Sequence, residues 1–95
     1  FGPKVDLKAL VAQGAIILDV RSKGEYQSGH IKGSMNIPVD ALNNQLSQLK
    51  DKNKPIITCC ASGMRSAAAK NILKSNGYQT VYNGGAWASL KHQIQ

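Results

Sequence analysis

Acidic residues are scarce in this chain: five Asp and Glu stand against twelve Lys and Arg, a formal charge of +7 over 95 residues. The lysines are scattered, and three Tyr, one Trp and one Phe are too few to interleave with them. Clustered cations and stacking rings mark a nucleic-acid face, so this pattern reads instead as a solvated, lysine-rich surface. Its positive field still draws in small anions. Cysteine is equally sparse. Cys59 and Cys60 are adjacent, which excludes the disulfide framework of a secreted mini-protein, and no Cys-x-x-Cys or separated Cys/His pair suggests zinc. His30 and His92 are isolated. No run reaches the roughly eighteen apolar residues of a membrane span, and no signal-peptide pattern is present. A cytoplasmic setting with reduced thiols is expected. The chain nevertheless begins Phe1-Gly2-Pro3 without an initiator Met, which leaves room for an upstream anchor or address.

The length suits one domain, residues 1–95, able to remove roughly 60–65% of the unfolded chain's surface from water. Leu7, Leu10 and Val11 share a helical face within residues 5–13, with Asp6 as N-cap and Gly14 as stop. Residues 15–20 are a nearly continuous apolar run ending at Asp19 and Arg21, the pattern of a parallel strand covered on both faces. Ser22 and Glu25 have capping-box spacing, which predicts a short helix over residues 23–28 ended by Gly29. Residues 34–38 read as a short strand. Asp40 is a candidate N-cap for a helix over residues 40–49, where Leu42, Leu46 and Leu49 repeat at helical spacing. After a polar loop at residues 50–54, Pro55 opens the strand that delivers the cysteines. A helix over residues 66–76 turns Ala67, Ala68, Ile72 and Leu73 inward; a strand at 78–82, a turn at Asn83-Gly84-Gly85 and a helix over 86–92 complete the chain. Strands alternating with helices imply an α/β fold with a largely parallel sheet and right-handed crossovers.

The chemistry lies in residues 55–70, Pro-Ile-Ile-Thr-Cys-Cys-Ala-Ser-Gly-Met-Arg-Ser-Ala-Ala-Ala-Lys, which read as strand, tight loop and helix. A loop wrapped around a cysteine sulfur points its N–H groups and the helix start at that atom and favours negative charge there. Cysteines so placed, or near Arg, have thiol pKa values of roughly 3.5–7.5 and are nucleophilic at neutral pH. Two frames compete. Four residues separate Cys60 from Arg65, whereas five separate Cys59 from it, the spacing of cysteine-dependent phosphatases. Successive strand residues face opposite ways, so if Cys59 closes the strand it turns into the packing and Cys60 becomes the first loop residue.

Cys60-Ala61-Ser62-Gly63-Met64-Arg65-Ser66 resembles the active-site loop of the rhodanese family of sulfurtransferases, which runs Cys, two residues, Gly, one residue, Arg, then Ser or Thr. Asp19-Val20-Arg21, Glu25-Tyr26, Gly29-His30-Ile31, Gly33-Ser34-Met35-Asn36-Ile37-Pro38 and Gly84-Gly85-Ala86-Trp87 also look like family signatures in family order. The resemblance thus covers nearly the whole chain. The position after the nucleophile, often Arg in this family, is Ala61 here, which removes one positive charge.

The resemblance implies a three-layer α/β sandwich with a central sheet of about five strands and helices on both faces. It also implies an enzyme that moves a sulfane sulfur from thiosulfate, or from a protein or small-molecule persulfide, to a thiol or cyanide acceptor. The sulfur would travel as a Cys60 persulfide, with no metal or organic cofactor. Cys60 and Arg65 would be catalytic, and Ala61, Ser62, Gly63, Met64 and Ser66 would surround the donor. Arg65 either closes the loop by bonding its carbonyls or a buried acid, or binds the anionic donor. Asp19, Arg21, His30 and Trp87 are expected to support the site. Each also has a structural reading: an internal ion pair for Asp19 and Arg21, a lock on the turn into Ile31 for His30, and a core anchor for Trp87. Two rival functions stay open, a phosphatase using Cys59 or Cys60 with Arg65, and a non-catalytic binding module. The protein is expected to be a monomer that does not bind nucleic acid.

Overall fold

The computed structural model describes residues 5–95. Two apolar runs, β1 (Ile16–Asp19) and β3 (Ile56–Cys60), lie side by side at the centre of a sheet ordered β2-β1-β3-β4, with β2 (Met35–Asn36) and β4 (Val81–Ala86) at its edges. All three pairings are parallel. Parallel neighbours need crossover connections: α2 (Lys23–Ser28) joins β1 to β2, two 3-10 stretches join β2 to β3, and α3 (Met64–Ser75) joins β3 to β4, while α1 (Leu7–Ala12) precedes the sheet and α4 (Trp87–Ile94) follows it. The described residues hold four strands where the resemblance implied about five.

Side chains alternate across β3 and divide the core into two layers. Ile56 and Cys60 join Leu18, Val20, Leu42, Leu49, Ala69 and Leu73 on one face of the sheet. Ile57 and Cys59 join Ile17, Ile31 and Leu90 on the other, where Leu7, Leu10 and Val11 of α1 and Trp87 of α4 pack. The architecture is therefore the expected α/β sandwich with helical segments on both faces. Asp6 caps α1 by accepting the Ala9 N–H at 3.0 Å. The capping box forms as its spacing predicts, with Ser22 Oγ accepting the Glu25 N–H and Glu25 Oε1 accepting the Ser22 N–H.

Four elements differ from the sequence reading. Residues 40–49 are not an α-helix but two 3-10 stretches, Val39–Asn44 and Leu46–Gln48, and Asp40 lies inside the first rather than capping it. Asn43, Asn44 and Ser47 favour local hydrogen bonds over helix, and the tighter winding still buries Leu42 and Leu49. Helix α3 starts two residues early, at Met64, so Ser66, Ala69 and Leu73 face inward and Ala68 is exposed. The last helix, α4, runs on to Ile94.

The fourth difference concerns the expected turn at Asn83-Gly84-Gly85, which belongs to β4, a strand that starts at Val81 rather than Tyr78. A β-carbon on Gly84 would lie 2.8 Å from Ile57 Cγ2 and 2.9 Å from the Thr58 carbonyl oxygen. The glycine is there to let β4 press against β3. Tyr78 instead leaves the sheet and donates its hydroxyl to the Leu49 carbonyl.

Candidate active site

β3 carries Cys60 to its C-terminal end, at the edge of the sheet where open α/β folds place ligands. The chain then turns through Ala61, Ser62 and Gly63 into α3. Gly63 is the residue before the helix and has φ 105°, a left-handed conformation that a side chain resists. This turn brings main-chain donors round to the sulfur: the Gly63 N–H lies 3.0 Å and the Ser66 N–H 3.4 Å from Cys60 Sγ. Ser66 Oγ is also 3.4 Å from it. Burial raises the thiol's pKa, but hydrogen bonds from the Ser66 hydroxyl and from the N–H groups of Ser66, Gly63 and Ser62 outweigh that penalty and leave it below its ordinary value.

Ser66 is held in turn by Asn83, a residue the sequence reading assigned only to a turn. The Ser66 hydroxyl donates to Asn83 Oδ1 at 2.6 Å, and the Gly63 carbonyl lies 3.0 Å from the same hydroxyl. Asn83 is oriented by the Gly85 N–H, which donates to Oδ1 at 2.9 Å, and by its own Nδ2, which donates to the Gly63 carbonyl. In the thiol form Cys60 can donate to Ser66 Oγ. A thiolate can only accept, so for the Ser66 hydroxyl to donate to sulfur it must turn away from Asn83 Oδ1, which keeps the Gly85 N–H. The signal for Asn83 is a polar residue in register with Thr58 on the neighbouring strand, which sequence spacing alone does not reveal.

Cys59, one residue earlier, faces the opposite layer, as strand alternation predicts. Burial first, then the nearby Asp19, push its thiol up to about 12. Cys60 ends the strand rather than opening the loop, and both cysteines are fully buried. Ala61, Ser62 and Met64, just beyond Cys60, are exposed, Met64 to 82%.

Arg65 neither bonds the loop carbonyls nor finds a buried acid. Its Nη1 and Nη2 donate to Glu25 Oε1 and Oε2 at 2.7 and 2.9 Å, a bidentate pair in which both side chains are a little under two-fifths exposed. The Arg65 guanidinium, with help from Ser22, holds the Glu25 carboxyl down to about 2. Glu25 stood out in the sequence as half of a capping box, and its second task was missed because Arg65 lies forty residues away.

Asp19 and Arg21 form the internal ion pair of their structural reading, with Arg21 Nη2 and Nε donating to the Asp19 carboxylate at 2.7 to 3.1 Å. Arg21 also donates to the carbonyls of Glu25 and Gly29, and its guanidinium carbon sits 4.6 Å from the centre of the Trp87 ring. The pair thus anchors α2, the element that presents Glu25 to Arg65. Trp87 serves as the lid of this pair and as part of the second core layer. His30 stacks on Tyr26 at 3.8 Å and its Nδ1–H donates to the Tyr26 carbonyl, which fixes the turn into Ile31. It lines a cavity of about 450 Å³ with Val11, Ile17 and Lys91, away from residues 60–66. A second cavity, of about 490 Å³, opens beside Arg65. Among the described residues no three His, Cys, Asp or Glu side chains gather to hold a metal ion, and no helix is long and apolar enough to cross a membrane.

Fold and site together define a small parallel α/β domain organised around a buried cysteine ringed by main-chain amides. The chain belongs to the rhodanese-like domain family, whose model matches residues 4–89. It is 36% identical over 72% of its length to the thiosulfate sulfurtransferase PspE of Escherichia coli strain K12, and 31% identical over 95% of its length to a tRNA sulfurtransferase of Thermoplasma acidophilum. It spans 66% and 18% of those two proteins. The human single domain sulfurtransferase TSTD1 superposes with a TM-score of 0.74 at 28% identity, covering 93% of this chain and 94% of that one.

Proposed function

We propose that this chain is a single rhodanese-like domain that transfers sulfane sulfur through a persulfide on Cys60. The observation that carries the reading is the sulfur at the end of β3, which accepts two main-chain N–H groups and has its thiol pKa lowered by the Ser66 hydroxyl together with them. In the first step the Cys60 thiolate attacks the outer sulfur of the donor. With thiosulfate, the donor S–S bond breaks, its electron pair leaves on sulfite, and Cys60 becomes a persulfide anion. The charge then sits one atom further out, beneath the N–H groups of residues 61–66, a nest suited to an anion. In the second step cyanide or a thiolate attacks that outer sulfur and leaves as thiocyanate or a new persulfide, and the Cys60 thiolate returns. Each step breaks one S–S bond and forms one S–S bond or, with cyanide, one S–C bond, and needs no oxidant.

Arg65, tied to Glu25, fixes the first turn of α3 and so keeps the Ser66 N–H aimed at sulfur. The phosphatase frame built on Cys59 is disfavoured, because that sulfur faces the far layer and its thiol is pushed up to about 12. Mass spectrometry after thiosulfate treatment tests the proposal. A gain of one sulfur atom, lost on adding cyanide, is expected for the parent chain and for Cys59→Ser and not for Cys60→Ser. Equal loss in both variants, or faster hydrolysis of phosphate esters than sulfur transfer, would overturn it.

A further inference from the structure

Ser66 is fully buried, so its hydroxyl hydrogen goes to an atom of the protein rather than to bulk water. Three acceptors lie within reach: Asn83 Oδ1 at 2.6 Å, the Gly63 carbonyl oxygen at 3.0 Å and Cys60 Sγ at 3.4 Å. A hydroxyl has one hydrogen to give, so the three compete. The Gly63 carbonyl already takes the Ala67 N–H in the first turn of α3 and a hydrogen from Asn83 Nδ2. Asn83 Oδ1 makes the shortest contact, and the Gly85 N–H, which can only donate, fixes which end of the Asn83 amide faces Ser66. While the Cys60 sulfur is uncharged, the Ser66 hydrogen therefore rests on Asn83.

Which acceptor holds it next depends on where the charge sits. A thiolate carries its charge on Sγ and draws the hydroxyl, because a hydrogen bond to an ion is roughly twice as strong as one between neutral groups. In a persulfide anion the charge has moved to the outer sulfur, and Sγ, bonded to carbon on one side and to sulfur on the other, accepts poorly. The hydroxyl then turns back to Asn83. The Gly63 and Ser66 N–H groups are fixed in the backbone and point at Sγ throughout. The Ser66 hydroxyl, unlike them, has another acceptor to turn to.

Resting on the reading of Cys60 as the sulfur carrier, we infer that Asn83 is a positioning residue that competes with the free Cys60 thiolate for the Ser66 hydroxyl and so tips the sulfur-transfer equilibrium towards the loaded form. No covalent bond changes in this exchange; the hydroxyl rotates from one acceptor to the other. Emptying the carrier takes the hydroxyl from Asn83, and loading it gives the hydroxyl back.

Two measurements on the purified chain test this. The acid limb of Cys60 alkylation by iodoacetamide, located by mass across pH 5–10, reports the thiol. The fraction of chain carrying one extra sulfur in fixed mixtures of thiosulfate and sulfite, above that limb, reports the loading equilibrium. Asn83→Ala leaves the hydroxyl to the thiolate, so the limb should move down by about half a unit and the loading constant fall by about threefold, the scale of one neutral hydrogen bond. In a Ser66→Ala background the same substitution should change neither. Asn83→Asp keeps an oxygen for the Gly85 N–H and holds the hydroxyl more tightly, so the limb should move up, and by less in Ser66→Ala, where only the direct repulsion of the two charges remains. Thermal scans show which variants are folded, and the Asn83→Asp pair decides the matter alone where Asn83→Ala is not. An upward limb in Asn83→Ala, as a disordered loop would give, or shifts that are the same with and without the Ser66 hydroxyl, overturns the role of Asn83 and leaves the carrier reading intact. No sulfur gain on the parent chain at any thiosulfate to sulfite ratio defeats the carrier reading, and the effect of Asn83 on the persulfide with it, while the alkylation profiles still decide the competition for the thiolate.

Discussion

Replacing Ser66 by Ala removes the one side-chain hydroxyl near the Cys60 sulfur and keeps the main-chain N–H that lies 3.4 Å from it. A hydrogen bond to a charged group contributes about 1.5–3 kcal/mol. At 3.4 Å from a diffuse sulfur, losing the lower end of that range, about 1.5 kcal/mol, raises the thiol pKa by about one unit. Well below that pKa the thiolate share drops about tenfold, but a more basic thiolate is intrinsically about threefold more reactive. The net expectation is a loss of about threefold on the acid limb of the sulfur-loading rate and a gain of about threefold at high pH, so the two profiles cross. Loading by a sulfur donor is followed by mass across pH 5–10 for both proteins, with thermal scans to show that each is folded. Asn83 keeps the Gly85 N–H, so no buried carbonyl oxygen is orphaned by the change. A uniform drop at every pH, or an acid limb that stays in place, would refute the claim that Ser66 acts by stabilising the thiolate.

Three further outcomes follow from the packing and the ion pairs. Gly84→Ala forces a β-carbon to within 3.0 Å of Ile57, the Thr58 carbonyl and Leu90, and should cost about 1–3 kcal/mol, read as a drop of about 4–8 °C in Tm per kcal/mol. Unchanged Tm would show that β4 can retreat from β3. Arg21→Met leaves the Asp19 carboxylate, 1% exposed, without its partner and should cost about 3–5 kcal/mol by denaturant titration. A neutral result would mean that Asp19 finds another donor. Glu25 has its folded-state pKa depressed from 4.5 to about 2, so its tie to Arg65 stabilises fully above the unfolded value and is lost as pH falls towards the folded one. Denaturant midpoints should therefore fall across that window in the parent chain and less steeply in Glu25→Gln, and parallel curves would refute the assignment.

Acid stability and loop geometry meet in one chain of contacts. Asp19 holds Arg21, Arg21 holds the Glu25 carbonyl, the Glu25 carboxylate holds Arg65, and Arg65 sits next to Ser66 at the sulfur. A buried structural pair at the end of β1 thus reaches the loop after β3 through four residues. Substitutions at Asp19 or Arg21 are accordingly expected to disturb the loop without touching the reacting atoms.

Local chemistry was enough to read much of this protein from its sequence. The apolar run of β1, the Ser22–Glu25 capping box, the strand-loop-helix around Cys60 and the opposite facing of Cys59 all depend on residues within a few positions of one another. Two features depended on what lies across the fold. Gly84 looks like a turn residue until Ile57 and the Thr58 carbonyl are seen where its side chain would be. The partners of the loop, Glu25 for Arg65 and Asn83 for Ser66, come from helix α2 and strand β4, which only the parallel pairing of β1, β3 and β4 brings to one edge. Periodicity and spacing therefore determined the layers and the nucleophile. Tertiary structure decided how the loop's charge is spent, because ion pairs and hydrogen bonds depend on distance in space, which separation along the chain does not fix.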